Sequence, residues 1–253
     1  MRARQQVAAS DRRTIAEGAG TALERRWSEP AWMMGGVIPA EFIRSATRLS
    51  PVPLVPELSL YLASDIYSLW EQTESALGQN ELPPPFWSVA WPGGQALARY
   101  LLDHRELVAG RTVVDYGSGS GLVALAAVKA GAAAVTAVEP DPLARAAIAL
   151  NAAANSLAAP ICMGAVPAAG QAPDLIFAAD VWYDQQLAEL VTADLGNAAR
   201  NGATVHIADI GDNGRKYFPR DGYRRLATYD LPSTIAIEGR ERVSASVWYR
   251  QAS

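Results

Sequence analysis

The stretch Thr112–Asn155, TVVDYGSGSGLVALAAVKAGAAAVTAVEPDPLARAAIALNAAAN, decides the fold of this chain. Its opening apolar run, Thr112 to Val114, has the composition of a parallel strand buried on both faces. Gly117, Gly119 and Gly121 follow, and glycines there let the backbone turn sharply and approach a ligand with no side chain between. A helix is then predicted over Leu122 to Ala130. The next strand ends at Glu139, about 20 residues beyond the loop, where a carboxylate accepts hydrogen bonds from ribose hydroxyls in nucleotide-binding units. A glycine turn alone can be structural; together with Asp115 and Glu139 it points to a nucleotide-type cofactor.

Spacing narrows the choice. A dinucleotide fingerprint reads G-x-G-x-x-G, but Leu122 stands where the third glycine should follow Gly119. Asp115, just before the loop, adds a negative charge that repels a pyrophosphate and suits a cationic ligand, directly or through water. S-adenosylmethionine fits that charge, with its ammonium and its sulfonium.

Outward from this unit, strands are predicted near 112–116, 134–138, 160–163, 174–179 and 203–208, with helices near 141–155 and 185–199 between them. Such alternation implies a parallel, doubly wound sheet with helices on both faces. The tail changes character: Tyr223 to Leu231 and Val243 to Arg250 are two β-rich runs around a turn containing Gly239, an antiparallel hairpin at the sheet edge. The expected fold class is therefore α/β, a doubly wound, seven-stranded, mostly parallel sheet with an N-terminal helical extension. Ligands in such sheets sit beyond the carboxyl ends of the strands, so the glycine loop, Glu139, Asp180 and the loop from Asp209 should converge.

Ahead of the core, residues 1–36 are polar and Ala/Arg-rich without a period, a flexible or marginally structured extension with no assigned chemistry. Residues 37–110 read as a helical cap and linker, in which Leu58, Leu60, Leu62, Ile66, Leu69 and Trp70 supply an apolar helical face. Pro83, Pro84 and Pro85 form a rigid linker that ends at Trp91-Pro92-Gly93-Gly94, before a helix from Gln95 to Leu102. Residues 111–253 form the core.

The composition sets limits. At 253 residues one α/β domain and an extension fit, not two large domains. A net charge of −4 argues against a general nucleic-acid surface. Cys162 is the only cysteine, so an intrachain disulfide and a cysteine-based zinc site are excluded; its plain reading is a small core residue in a reducing compartment. No apolar run is long enough for a membrane span, and no signal peptide opens the chain. Asp11, Glu17, Glu24 and Glu29 fit poorly with a transit peptide, so the chain reads as cytoplasmic. His104 and His206 are read as structural, and no metal site is expected.

Chemistry points to Asp180 and Tyr183, where a hydrophobic strand breaks into Ala179-Asp180-Val181-Trp182-Tyr183-Asp184 before a helix. Methyl transfer to an amine needs alignment and a neutral nucleophile, because a lysine of pKa about 10.4 is mostly protonated at neutral pH. Asp180 is placed to orient the nitrogen and stabilise its developing charge, a positioning and electrostatic group before a base. The plain alternative makes Asp180 or Asp184 a helix N-cap, and Trp182 and Tyr183 packing residues.

The segments FWSVAWPGGQALARYLLDH, VVDYGSGSG, ADVWYDQQLAEL, GDNGRKYF and SASVW closely resemble the lysine methyltransferases that modify the beta subunit of electron transfer flavoprotein, within the seven-β-strand methyltransferases. The match runs from about Phe42 to Trp248; the glycine loop is common to many methyltransferases, whereas WPGGQALARYLLD with DVWYD is specific. The resemblance implies that Asp115, Gly117, Ser118, Gly119 and Glu139 hold S-adenosylmethionine, that Trp91 lines its pocket, and that Asp180 and Tyr183 match a D-x-x-Y motif facing the target lysine. It implies a protein-lysine N-methyltransferase acting on electron transfer flavoprotein beta, with ribosomal protein L7/L12 suggested by bacterial relatives; the chain is expected to be a monomer. Gly211-Asp212 with Gly214-Arg215 matches a substrate-side loop, with Arg215 on the rim. Where many relatives place an Asp or Asn for adenine, this chain reads MGAVPAAG, leaving backbone amides and apolar contacts such as Val166. Two rivals stay open: a small-molecule N-methyltransferase of the nicotinamide type, which shares the core, and a cofactor-binding recruiter without turnover.

Overall fold

The computed structural model describes residues 38–164, 173–210, 215–232, 239 and 241–250. The extension expected over 1–36 and the apolar adenine contact expected at Val166 lie outside them.

Seven strands form one sheet: β3 (Thr112–Tyr116), β4 (Ala134–Val138), β5 (Ile161–Met163), β6 (Leu175–Ala179), β7 (Thr204–Ile210), β8 (Arg224–Pro232) and β9 (Arg242–Arg250), in the order β5-β4-β3-β6-β7-β9-β8. The first five are mutually parallel, and β9 runs antiparallel between β7 and β8. The doubly wound, mostly parallel sheet with a closing hairpin is thus present. Winding goes outward from β3 through β4 to β5, then restarts at β6 on β3's other side. The crevice of a doubly wound sheet opens at such a reversal, beyond the carboxyl ends of β3, β4 and β6.

Strand alternation sorts the core onto two faces. Val113, Leu175, Phe177 and Val247 pack with α3 (Pro92–Asp103) and α4 (Leu122–Ala130) on one side. Val114, Ile176, Ala178, Val205 and Ile207 pack with α6 (Gln185–Arg200) on the other. On α6, Ala188, Val191, Leu195 and Ala199 are buried, one stripe at helical period, which is why that helix is amphipathic. On α4 nearly every residue is buried, as its Leu/Val/Ala composition, interrupted only at Lys129, requires.

The N-terminal part departs from expectation. Leu58, Leu60 and Leu62 do not share a helical face with Ile66 and Leu69; they lie on β2 (Val55–Leu62), which pairs antiparallel with β1 (Arg48–Val52) between α1 (Ile38–Ala46) and α2 (Ile66–Leu77). Their spacing has period two, so Leu58 and Leu60 point inward together, as strand residues do. These leucines join Val52 and Val55 in the same apolar cluster as Leu97, Val113 and Leu125, so hairpin and sheet share a core. The linker also ends earlier than expected. Trp91 is the N-cap of α3, and Pro92-Gly93-Gly94 is its first turn, with proline where its missing N–H costs nothing.

Polar side chains of α5 (Pro142–Ala154) and the residue that ends it hold the hairpin down. Asn151 Oδ1 accepts from the Tyr61 amide at 2.8 Å, while its Nδ2 donates to the Ser120 carbonyl at 2.8 Å. Asn155 Oδ1 accepts from the Ser59 amide at 2.9 Å and its Nδ2 donates to the Ser59 carbonyl at 2.7 Å. Asn151 is buried and joins β2 to the glycine loop, so Asn151→Ala should strand an amide and a carbonyl. The expected loss is about 2–4 kcal/mol in urea unfolding. A loss under about 0.5 kcal/mol would mean that apolar packing alone seats the hairpin.

Candidate active site

Carboxylates sew the glycine loop into shape. Asp115, at the end of β3, is buried, and its Oδ2 accepts from Ser118 Oγ at 2.6 Å and from the Ala124 amide at 3.0 Å. The side chain expected at the mouth of the loop is thus turned into it. Gly117 (φ 68°) and Ser118 both donate their amides to the Val138 carbonyl, at 2.9 and 3.1 Å. A Cβ on Gly117 would fall 2.7 Å from Val181 Cγ1, so the turn requires glycine. Glu139 Oε2 accepts from the Gly119 amide at 2.8 Å and Oε1 from the Asp141 amide at 2.9 Å. Asp141 in turn caps α5 through the Leu143 amide at 2.8 Å.

These acids are held in a water-poor site. Burial pushes Asp115 up to about 6, Glu139 to about 7 and Asp141 to about 6, against the opposing pull of their amide hydrogen bonds. Arg145 is near but donates its Nη1 to the carbonyls of Glu139 and Pro140, at 2.9 and 2.7 Å. Buried carboxylates with spare lone pairs suit hydroxyl donors and positive charge.

Asp180 closes the crevice from β6. Its φ of 57° is rare outside glycine, and its amide donates to the Ala208 carbonyl at 3.0 Å. Its Oδ2 accepts from the Gly94 amide at 2.7 Å, at the N-terminus of α3, where unsatisfied amides favour a negative charge. Gly93 makes room: a Cβ there would meet Asp180 Oδ2 at 2.7 Å and the Ala208 carbonyl oxygen at 2.8 Å. Burial, then the Asp209 charge, push Asp180 up to about 7, with Arg215 pulling the other way.

The capping alternative resolves in detail. Asp184 caps α6, accepting from the Leu187 amide at 3.0 Å, whereas Asp180 contacts amides of a different helix. Trp182 is a packing residue, fully buried edge-on to Phe218 with centroids 5.0 Å apart. Tyr183 is half-buried and sits edge-on to Phe86 at 5.4 Å, and Phe86 edge-on to Trp91 at 5.7 Å. Trp91 Nε1 donates to the Phe86 carbonyl at 2.8 Å. The Tyr183 hydroxyl is pushed well above its usual range by burial first and then by the charges of Glu139 and Asp184, which ties the tyrosine to the glycine-loop side.

Arg215 differs from expectation. It is not a rim residue: its side chain is 17% exposed and its Nη1 reaches Asp209 Oδ1 at 2.6 Å and Asp180 Oδ1 at 3.4 Å. Gly211, Asp212 and Gly214 lie outside the described residues. Phe86, Gly93 and Gly94 join the site without having been expected there, although all three stand in the FWSVAWPGG segment, whereas the loop from Asp209 does converge on it as expected. His104 stacks on Tyr100 and His206 is buried beside Phe177 and Tyr249, its burial pushing it down to about 4 and keeping it neutral. Among the described residues no group of three or more His, Cys, Asp and Glu could hold a metal, and no helix is long and apolar enough to cross a membrane.

The buried acids carry a pH signature. Each is raised above its unfolded value, so between about pH 4 and 7 these acids hold more protons in the folded chain than in the unfolded one, a trend that His206, pushed down to about 4, opposes in part. Stability is then full at the acid end and falls as pH rises through the native values, on the order of 3 kcal/mol for Glu139 alone. Urea unfolding of the ligand-free protein across that window should show the fall, and Glu139→Gln should flatten it; a rising curve would contradict the acid cluster.

Residues 96–196 match the family described as ribosomal protein L11 methyltransferase (PrmA). The chain is 36% identical over 201 residues to the electron transfer flavoprotein beta subunit lysine methyltransferase of Danio rerio, covering 77% of this chain and 76% of that protein. Against the Homo sapiens protein of the same name it is 33% identical over 201 residues, covering 77% and 75%. A ribosomal protein L11 methyltransferase of Vibrio cholerae matches a shorter segment, 47% identical over 62 residues, which is 24% of this chain and 21% of that one. Among solved structures, a candidate RNA methyltransferase from Pyrococcus horikoshii superposes with a TM-score of 0.50 at 17% identity, over 68% of this chain and 91% of that one, a likeness of fold. With identity above 30% across most of both sequences, carried on a seven-stranded methyltransferase sheet, this methyltransferase belongs to the electron transfer flavoprotein beta subunit lysine methyltransferase family.

Proposed function

We propose that the chain is an S-adenosylmethionine-dependent protein-lysine N-methyltransferase whose substrate is the electron transfer flavoprotein beta subunit. The observation that carries this is Asp180, held by a left-handed backbone on the N-terminus of α3, at the carboxyl end of the strand beside the glycine-loop strand.

The donor set fits the cofactor. Asp115 and Ser118 shape the loop, Gly117 and Gly119 give it close approach, and each Glu139 oxygen accepts one amide and keeps a lone pair for a ribose hydroxyl. Three acids around one loop, Asp115 and Glu139 buried and Asp141 half-buried, favour a cationic ligand and disfavour a pyrophosphate. Trp91, through Phe86, forms an aromatic wall towards Tyr183. When bound, S-adenosylmethionine supplies an electrophilic methyl group on a sulfonium.

The chain's own residues do the rest. Asp180 orients the amine through the oxygen not held by Gly94 and stabilises the charge that develops on nitrogen. Tyr183 stays protonated, since its hydroxyl is pushed up, and therefore remains a hydrogen-bond donor beside the amine. Its ring and that of Phe86 exclude water from the nitrogen. The hairpin of β1 and β2, seated on α5, offers a surface for a folded protein beyond the lysine itself.

Asp180→Asn keeps the shape and loses the charge, so turnover should fall roughly 10²- to 10³-fold with cofactor affinity within about twofold. Glu139→Ala should weaken cofactor binding in calorimetry by about 1.5–3 kcal/mol with the fold intact. The substrate is tested by transfer of a labelled methyl group to purified electron transfer flavoprotein beta, ribosomal protein L7/L12 and nicotinamide. Label on the flavoprotein subunit is expected. Efficient labelling of nicotinamide with both proteins blank would put the small-molecule reaction in its place, and cofactor binding without any turnover would leave a recruiter.

A further inference from the structure

The proposed reaction uses Asp180 and leaves Asp209 unexplained. Asp209 lies near the end of β7, the strand beside β6, and is 0% exposed. Its Oδ1 accepts from the Ile210 amide at 2.7 Å and from Arg215 Nη1 at 2.6 Å, while its Oδ2 is buried without a hydrogen-bond partner. A core aspartate with an unpaired oxygen is unfavourable on its own account, so the buried charge calls for a reason beyond its bonds to the Ile210 amide and to Arg215, whose backbone also contributes.

The geometry gives one. Arg215 Nη1 is shared unequally, at 2.6 Å from Asp209 Oδ1 and 3.4 Å from Asp180 Oδ1. The shorter distance is a full charge-assisted hydrogen bond and the longer one is at the limit. With Asp209 absent, the guanidinium would settle on Asp180 and close the oxygen that an incoming amine needs. With Arg215 absent, two adjacent buried carboxylates would hold an ammonium in its protonated, unreactive form.

We propose that Asp209 is a positioning residue for methyl transfer: it draws Arg215 back from Asp180, so that the guanidinium opposes protonation of the entering amine while Asp180 Oδ1 stays open to it. This rests on the lysine reading above. In that reaction the neutral amine's lone pair forms the new C–N bond as a C–S bond breaks, sulfur leaves as a neutral thioether, and the ammonium proton has passed to solvent beforehand. The charged groups facing Asp180 among the described residues are Asp209 from β7 and Arg215 after it; α3 presents the Gly93 and Gly94 amides. Tyr183, the adjacent motif residue, is faced by Glu139 from the end of β4, Asp184 from the start of α6, and Arg215.

Carboxyl-carbon NMR of the enzyme without acceptor reads the cluster directly. Asp209→Asn removes a like charge and should lower the pH midpoint of Asp180, whereas Arg215→Gln removes the opposing one and should raise it, each by about one unit. Arg215→Lys keeps the charge and should stay near wild type, so the two arginine variants decide the matter even where Asp209→Asn does not fold. With electron transfer flavoprotein beta as acceptor, the acid limb of kcat should move the same opposite ways, and Asp209→Asn should lower kcat about tenfold or more at unchanged cofactor affinity. Midpoints that move together, or not at all, overturn the proposal. An unlabelled acceptor with wild-type enzyme overturns the substrate instead, and the carboxyl titration still decides the cluster.

Discussion

One contact fixes the arrangement of the crevice: the carboxylate of Asp180 against the first amides of α3. It dictates glycine at 93, because a Cβ would collide with that carboxylate and with the Ala208 carbonyl. It dictates that α3 begin at Pro92, so that the Gly94 amide is free of an intrahelical partner. It also demands a left-handed backbone at an aspartate, a strain of about 1–3 kcal/mol that persists only where surrounding structure fixes it. The helix amides and the Ala208 carbonyl supply that fixation from two elements, so displacing either would release the carboxylate.

The glycine loop obeys a similar constraint with acids in the other role. Asp115 and Glu139 are buried and Asp141 is half-buried, and each accepts main-chain amides that would otherwise be unpaired. A neutral hydrogen-bonding residue could serve the fold at lower desolvation cost. Retaining charge there lowers ligand-free stability above the acid range and leaves a field suited to a positively charged, hydroxyl-bearing ligand.

Local pattern made the sheet legible. Apolar runs with glycine close by located β3 and β4, and the apolar run between Pro173-Asp174 and the break at Asp180 located β6, because those signals lie within a few consecutive residues. Leu58, Leu60 and Leu62 misled because their period-two spacing runs straight into Ile66 and Leu69, where the period becomes helical, and a single window merges the two. Arg215 misled for another reason: a charged residue in a Gly-rich loop reads as solvated, and nothing local shows that two buried carboxylates on neighbouring strands await it. Phe86 was hidden behind the proline run, and its contact with Tyr183 spans too much sequence for any local period to reveal.

The sheet order explains why two acidic half-sites can serve one reaction on an amine. β4 and β6 flank β3, so Glu139 and Asp180 stand on either side of the glycine loop, and Tyr183, edge-on to Phe86, feels the charge of Glu139. Acids on both sides attract a cation, which helps a lysine approach but opposes the loss of its proton. An amine site built of carboxylates alone would therefore bind its substrate in the unreactive form. On the reading proposed above, Arg215, inside the crevice and hydrogen-bonded to Asp209, offsets that tendency locally, and its charge acts on Tyr183 as well as on Asp180. On that reading, the unequal sharing of one guanidinium between two aspartates is the feature by which an acidic crevice can admit a charged lysine and still present a neutral nitrogen for alkylation.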